Sequence, residues 1–252
     1  MIRRPSLSLS ERFVDLKQDF RETDDRKGFF KNFSSEFGLG HLAYFGVFPQ
    51  WGEGQKHQLV TSYREDWEEH YFQKKYDRID PVLLQTMRRV VPLDWEKIPQ
   101  EDRDIRNFFG EAGDFGVHRR GISVPVRGPS GELALLAVTS PGSKRDWDSL
   151  KTHILPDLIY LANLIHSEVT DMVRGESKES SAKLTAREKE VLSWSARGKT
   201  SWETSHILGL SERTVDFYLK NAIFKLGASN KTQAVSKAIT MGALTLPFRI
   251  DL

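Results

Sequence analysis

Between positions 62 and 95 the chain collects side chains whose chemistry is recognition rather than reaction: Tyr63, Trp67 and Tyr71, then Asp80, then Trp95. The first three recur every four residues, so on a helix they share one face. Each Tyr or Trp combines an apolar ring with one polar hydrogen that needs an acceptor when buried. By spacing alone such a stripe is core packing. Its polar hydrogens suit a pocket wall better than a featureless interior, where Leu or Phe would leave nothing unsatisfied. Asp80 stands directly before Pro81, and an Asp N-cap with Pro at the first helical position starts a helix over Val82–Val90. A carboxylate has several acceptor sites, so Asp80 is either that cap alone or also an acceptor for an amide N–H on a bound molecule.

A second set lies near the other end. Arg213, Phe217, Lys220, Asn221 and Phe224 fall roughly opposite an apolar stripe of Val215, Leu219, Ala222 and Leu226 at helical spacing. If the stripe is buried, the opposite face offers Arg, Lys and Asn, the side chains that contact phosphates and base edges. A helical hairpin with a solvated basic face has the same pattern. Charge separates the two readings. Residues 182–252 hold eleven Lys/Arg against six Asp/Glu, a net of +5, while the rest of the chain has 26 against 29, a net of −3. A basic module on a mildly acidic chain is the footprint of polyanion binding, and the overall +2 conceals it.

The elements that must position these groups can also be read. Thr185 with Glu188, and Thr200 with Glu203, are capping boxes, and Ser211 starts a third helix. Gly198, Gly209 and Gly227 fall at the stops, where positive φ is needed. Short helices joined through Leu208-Gly209-Leu210 predict a helix-turn-helix. A fourth helix over Thr232–Met241 has Ala234, Val235, Ala238 and Ile239 on one side. Ser62 with Glu65 predicts a further capping box ahead of the Tyr63–Tyr71 stripe. Phe29–Phe37 has helical spacing, Leu42–Phe48 and Gln58–Ser62 are strand-like, and 121–127 and 132–139 form a hairpin around Gly128–Gly131. Trp147–Val173 is helical, with Pro156 marking a kink or a fresh start. The expected class is α+β: an amino-terminal α/β/α sandwich around an antiparallel sheet over 1–173, a Ser/Gly/charge-rich linker at 174–183, and an all-α four-helix domain over 184–252.

The 252 residues suit two modest domains. Zero cysteines exclude disulfides, thiolate metal sites and a Cys nucleophile. The opening residues lack the apolar run of a signal peptide, and no stretch approaches a membrane span, so a cytoplasmic chain without membrane contact is expected.

The carboxy-terminal residues resemble the DNA-binding domain of LuxR-type regulators. The match runs over Leu184-Thr-Ala-Arg-Glu-Lys-Glu-Val-Leu, Gly198-Lys-Thr, and Ser211-Glu-Arg-Thr-Val-Asp-Phe-Tyr-Leu-Lys-Asn, with Glu188, Leu192 and Gly198 at signature positions. Tyr218 stands where many members carry His, a difference that bears on a phosphate contact or operator choice rather than on the fold. The same family's autoinducer-binding domain is resembled by Trp67-x3-Tyr71, Arg78-Ile-Asp-Pro, Trp95 and Phe115-Gly-Val-His-Arg-Arg-Gly-Ile-Ser-Val-Pro, with Gly121 at the remaining signature position.

The resemblance implies a receptor for an N-acyl-L-homoserine lactone as effector, with no other cofactor and no metal. Trp67 would donate to the lactone carbonyl, Asp80 would accept the amide N–H and Tyr63 would donate to the acyl carbonyl. Tyr71 and Trp95 would enclose the ring, and Leu42, Tyr44, Val60 and Leu133 would sheath the tail. Ala137 stands where several members place Ser or Thr near the acyl carbonyl; either Ser123 or Thr139 takes that role or the bond is absent. On the DNA side the resemblance implies contacts from Thr200, Arg213, Thr214, Phe217, Lys220 and Asn221 to double-stranded, palindromic promoter DNA. It implies a homodimer, in which the fourth helix pairs subunits, although packing within one chain explains that stripe equally well. RNA polymerase is a further candidate partner.

The alternatives are a relative that is ligand-independent or senses another small molecule, a response regulator, and an enzyme. A receiver needs acids at the end of an early apolar strand, and Asp24-Asp25 follow a polar helical segment instead. None of the seven histidines sits in a nucleophile or HExxH setting, and His41, His118 and His153 suit core or surface positions. An enzyme is not expected.

Overall fold

The computed structural model describes residues 19–49, 55–129, 131–176, 184–240 and 242–244. Two compact units emerge. The first takes in Met1–Val47, His57–Gly128 and Leu133–Met172, and the second Phe48–Lys56, Pro129–Glu132 and Val173–Leu252.

In the first unit the elements run α1 (Arg26–Glu36), β1 (Leu42–Pro49), β2 (Gln55–Thr61), α2 (Glu65–Gln73), α3 (Pro81–Thr86), β3 (Leu93–Asp94), α4 (Arg103–Asp114), β4 (Gly121–Arg127), β5 (Leu133–Thr139) and α5 (Lys144–Glu176). The strands make one sheet in the order β2-β1-β5-β4-β3, in which the β1–β5, β5–β4 and β4–β3 pairs are antiparallel. Both of its faces are covered, which is why β4 and β5 are nearly continuous apolar runs rather than alternating ones.

Register assigns each side chain to a face. Ala43 pairs with Ala137 and Ala137 with Ser123, while Leu42 pairs with Val138 and Tyr44 with Leu136. Because side chains alternate along a strand, Ala43, Phe45, Leu135, Ala137 and Ser123 share one face. Trp67 of α2, Val82 of α3 and Phe108 of α4 pack there in a single apolar cluster with Ala43, Leu93, Leu135 and Ala137. Leu42 and Tyr44 face the other way, where the Tyr44 hydroxyl lies 2.9 Å from Nδ1 of His166 on α5. This is an α/β/α sandwich, as the sequence predicts.

Three local expectations change. The Ser62 capping box does not form: Arg64 occupies the N-cap of α2 without a side-chain bond. Ser62 is buried at the end of β2, its hydroxyl accepting from the Leu42 N–H at 2.8 Å, so a tertiary contact has claimed the cap. Glu65, Asp66 and Glu68 in the first turn favour the helix start electrostatically instead. The helix after Asp80 ends at Thr86 rather than Val90, and Val90 is exposed. Pro156 starts no new helix; it lies inside the 33-residue α5.

The second unit contains α6 (Ala186–Ala196), α7 (Ser201–Leu208), α8 (Glu212–Lys225) and α9 (Lys231–Thr240). Both capping boxes form, each with its two reciprocal bonds, and Ser211 accepts from the Thr214 N–H at the start of α8. Gly209 ends α7 at φ 64°, a left-handed conformation that a Cβ disfavours. Val191, Leu192, Val215, Leu219, Ala222, Leu226, Ala234 and Ala238 form the core. Ala234 and Ala238 of α9 are thus spent inside the unit, whereas Ile239 stays exposed. Of the expected linker 174–183, the first three residues belong to α5 and 177–183 lie outside the described residues, as do the opening residues, Ser130 and Met241. Among the described residues no helix is long and apolar enough to cross a membrane, and no cluster of His, Asp and Glu could hold a metal ion.

Candidate functional site

The aromatic stripe read from the sequence folds into one wall. Trp67 is buried in the cluster, and Tyr63 and Tyr71 pack against it half-buried. The Tyr71 ring meets Trp67 edge-on, with centroids 5.9 Å apart, and Phe115 lies 5.4 Å from the Trp67 centroid on another side. Trp95, carried by a short 3₁₀ turn after β3, is also in the cluster, and its indole N–H donates to Ser123 Oγ at 2.8 Å. Gly121 explains how that ring fits. A Cβ there would stand 2.7 Å from two Trp95 ring carbons and 2.8 Å from the Val138 carbonyl oxygen.

Asp80 is the helix cap that its position suggests, and its second oxygen is bonded within the chain. Its Oδ1 accepts the Val82 and Leu83 N–H groups at 2.8 and 3.2 Å, capping α3, and its Oδ2 accepts the Tyr71 hydroxyl at 3.0 Å. Burial among aromatics pushes this carboxyl up to about 6, against the pull of the Leu83, Tyr71 and Val82 donors. Burial, and then the nearby Asp80, raise the Tyr63 and Tyr71 phenols well above their ordinary value. Both tyrosines therefore stay protonated and able to donate. The Tyr63 hydroxyl and the Trp67 indole N–H have no hydrogen-bond partner among the described residues, and Oδ2 of Asp80 retains acceptor capacity. The wall thus presents two donors and one acceptor within an apolar surround.

Not every residue read from the sequence joins this group. Ser123 is fully buried on the same sheet face but is engaged by Trp95, and the Thr139 hydroxyl accepts the His41 N–H at 2.8 Å. Leu42 and Tyr44, expected around a ligand's tail, are on the opposite face of the sheet. The alternation of a strand buried on both faces cannot be phased from composition alone. Val60 and Leu133 are half-buried. Tyr76 was missed. It follows Lys75, a residue at φ 56°, and its ring stands perpendicular to Phe108 at 5.2 Å within the cluster. Its hydroxyl donates to Glu111 Oε2 at 2.6 Å, an oxygen that also lies 2.6 Å from His70 Nε2. These contacts hold the Glu111 carboxyl below its ordinary range. Tyr76 sits five residues after Tyr71, off the helical stripe, so no spacing rule marks it.

In the second unit, α8 buries Val215, Leu219 and Ala222 and leaves Arg213, Phe217, Lys220 and Phe224 exposed, with Thr214 and Asn221 partly so. The side chains of Arg213, Lys220 and Asn221 have no partner among the described residues. Thr214 shares a hydrogen bond with Ser211, and Thr200 is exposed but spends its hydroxyl on the capping box with Glu203. One helix of the unit therefore offers a cation-rich, unpaired face supported by a rigid apolar core.

Both halves match known families. The autoinducer binding domain family matches residues 22–169, and the luxR family of bacterial regulatory proteins matches residues 182–238. The chain belongs to the LuxR family. Among its relatives, the transcriptional activator protein SolR of Ralstonia nicotianae is 32% identical over 240 residues, covering 92% of this chain and 98% of SolR. The transcriptional activator protein AnoR of Acinetobacter nosocomialis is 30% identical over 218 residues, covering 85% and 90%. The Escherichia coli SdiA crystal structure shares the fold at TM-score 0.62 and 23% identity, covering 92% of this chain and 99% of that one. This LuxR-family chain is accordingly a transcription regulator, not an enzyme, with a domain for a small-molecule autoinducer and a helix-turn-helix domain for DNA.

Proposed function

We propose that the aromatic wall receives an N-acyl-L-homoserine lactone and that the liganded chain is a cytoplasmic homodimer bound to a palindromic promoter element. The observation that carries the reading is the set of polar groups with capacity to spare on one apolar wall. These are the indole N–H of Trp67 and the Tyr63 O–H, neither with a partner among the described residues, and Oδ2 of Asp80, which accepts only the Tyr71 hydroxyl. An acyl-homoserine lactone has the complementary set of a lactone carbonyl, an acyl carbonyl and one amide N–H. A buried polar group left unpaired costs about 1–3 kcal/mol, so each match favours the bound state. In this reading Trp67 donates to the lactone carbonyl, Tyr63 donates to the acyl carbonyl and Asp80 accepts the amide, while Tyr71 and Trp95 enclose the ring. Ser123 and Thr139, both buried on the adjoining sheet face, are secondary candidates near the acyl carbonyl.

Residues 1–173 then form the ligand-binding domain, 174–183 the connector and 184–252 the DNA-binding domain. Arg213, Lys220, Thr200 and Thr214 contact phosphates, and Phe217 and Asn221 reach base edges. Two such helices must sit about one turn of DNA apart, or a multiple of it, which requires the dimer; RNA polymerase is the further partner in this scheme.

A thermal-stability scan of the purified chain against lactones of varied acyl length tests the proposal. Ligand that binds only the folded state raises the melting temperature by mass action. The absence of any shift across the series would replace this reading with a ligand-independent regulator or a receptor for a different small molecule. On the DNA side, Asn221→Ala should relax discrimination at one base position by about 1–3 kcal/mol; equal losses on operator and random DNA would make Asn221 a phosphate contact.

A further inference from the structure

Thr86 ends α3 with a side chain wholly removed from solvent, and its hydroxyl has no hydrogen-bond partner. Helical Ser and Thr normally return such a hydroxyl to the carbonyl four residues back. Elsewhere in this chain they do: Ser34 donates to Phe30, Thr152 to Asp148, Thr170 to His166 and Thr240 to Ser236, at 2.7 to 3.0 Å. Thr86 does not bond the Val82 carbonyl. One turn separates it from Val82, so the two share a helix face, and Val82 lies in the aromatic cluster. α3 packs on β3 and β4, where Leu93 pairs with Ser123.

We infer that Thr86 is a specificity-determining residue, whose hydroxyl pairs with an oxygen, oxo or hydroxyl, borne on the acyl chain of the ligand. The inference rests on the acyl-homoserine lactone reading above and adds the substitution class that the sequence leaves open. Asp80 and Thr86 lie at the two ends of α3, about 9 Å apart along the axis at ~1.5 Å per residue. An amide nitrogen and an oxygen on the third acyl carbon are under about 5 Å apart, and a hydrogen bond of about 3 Å at each end lets such a ligand bridge the two groups. Val82, Leu93 and Ala137 of the cluster carry no hydroxyl. An unsubstituted chain would leave the Thr86 hydroxyl unpaired, which is the condition that makes a site discriminate between ligands.

The experiment compares the full-length wild type with Thr86→Val, an isosteric change that removes only the hydroxyl. The probes are N-octanoyl-L-homoserine lactone and its 3-oxo and 3-hydroxy forms, with affinities read by titration calorimetry. The wild type should bind one oxygenated form about tenfold more tightly than the plain one, the worth of roughly one hydrogen bond. In Thr86→Val that preference should fall to within about twofold, with affinity for the plain chain retained. The valine form should also melt at a higher temperature without ligand, which establishes that it folds. A preference that survives the substitution, or a wild type that favours the plain chain, overturns the role of Thr86 while leaving the receptor reading intact. Failure of all three probes to bind wild type overturns both.

Discussion

Asp80 and Glu188 are two helix-capping carboxylates, one in each unit, held in opposite electrostatic states. Glu188 is buried, yet it accepts the Thr185 N–H at 2.7 Å and the Lys225 ammonium at 2.9 Å. Burial alone would raise it, but these partners prevail and its carboxyl sits below the ordinary range. Asp80 accepts three donors, none of them a cation, and rises to about 6. A cap backed by lysine is a stabilising device. A cap left without a cation among aromatic rings is an expensive way to start a helix, since Ser or Asn caps as well. In the function proposed above, the cost is offset when the second oxygen of Asp80 meets an incoming donor.

The largest expected effect tests whether the aromatic wall is scaffold as well as surface. Trp95→Ala removes a buried ring and the bond to Ser123, and should cost about 3–5 kcal/mol in urea unfolding of the full chain. A loss under 1 kcal/mol would mean that the ring only lines the site. Asp80→Asn preserves a good N-cap, so folding should persist, while lactone binding should weaken by about 1.5–3 kcal/mol through loss of a charge-assisted bond. Undiminished binding in calorimetry would reduce Asp80 to a cap and erase the contrast with Glu188. Lys225→Met strands the Glu188 charge and should destabilise the second unit by about 1–2 kcal/mol, less than a fully buried pair because Lys225 is partly solvated. Lys220→Ala should leave melting unchanged, weaken binding to all DNA sequences alike and lower the salt slope by about 1.

The comparison also sets opposite pH dependences. Asp80 binds its proton more tightly folded than unfolded. Its contribution therefore favours folding at low pH and is lost as pH rises from the ordinary value of 3.8 through about 6. Tyr71 and Tyr63 face the same neighbourhood and stay protonated throughout that window. Glu188, with its lowered carboxyl, contributes stability above 4.5 that is lost as pH falls below it. Melting followed from about pH 7 to about pH 3 should show the Asp80 contribution vanish in Asp80→Asn and the acid loss shrink in Glu188→Gln.

What could be read from the sequence divides along the range of the interactions. Thr185 with Glu188 and Thr200 with Glu203 were legible because both partners lie within one turn. Ser62 with Glu65 has the same spelling and fails, because Leu42, twenty residues away, takes the serine first. The shared face of Tyr63, Trp67 and Tyr71 and the Asp80 cap were legible from residue type and spacing, whereas Trp95 was singled out by the family resemblance. The misplacement of Leu42 and Tyr44 arose because a strand covered on both faces shows no polar side to mark its phase. Tyr76 and Thr86 reach the cluster by a turn and a helix end, positions with no periodic signature.

Gly121 shows how a residue with no side chain can govern one that has the largest. The indole of Trp95 lies where a methyl group at position 121 would have to be. Any replacement would push the ring away from β4 and from its hydroxyl acceptor. The place of the Trp95 ring on the aromatic wall is therefore decided by an atom that is missing from the backbone beneath it, and drift at this one strand position would reshape that wall before altering any residue proposed to touch a guest.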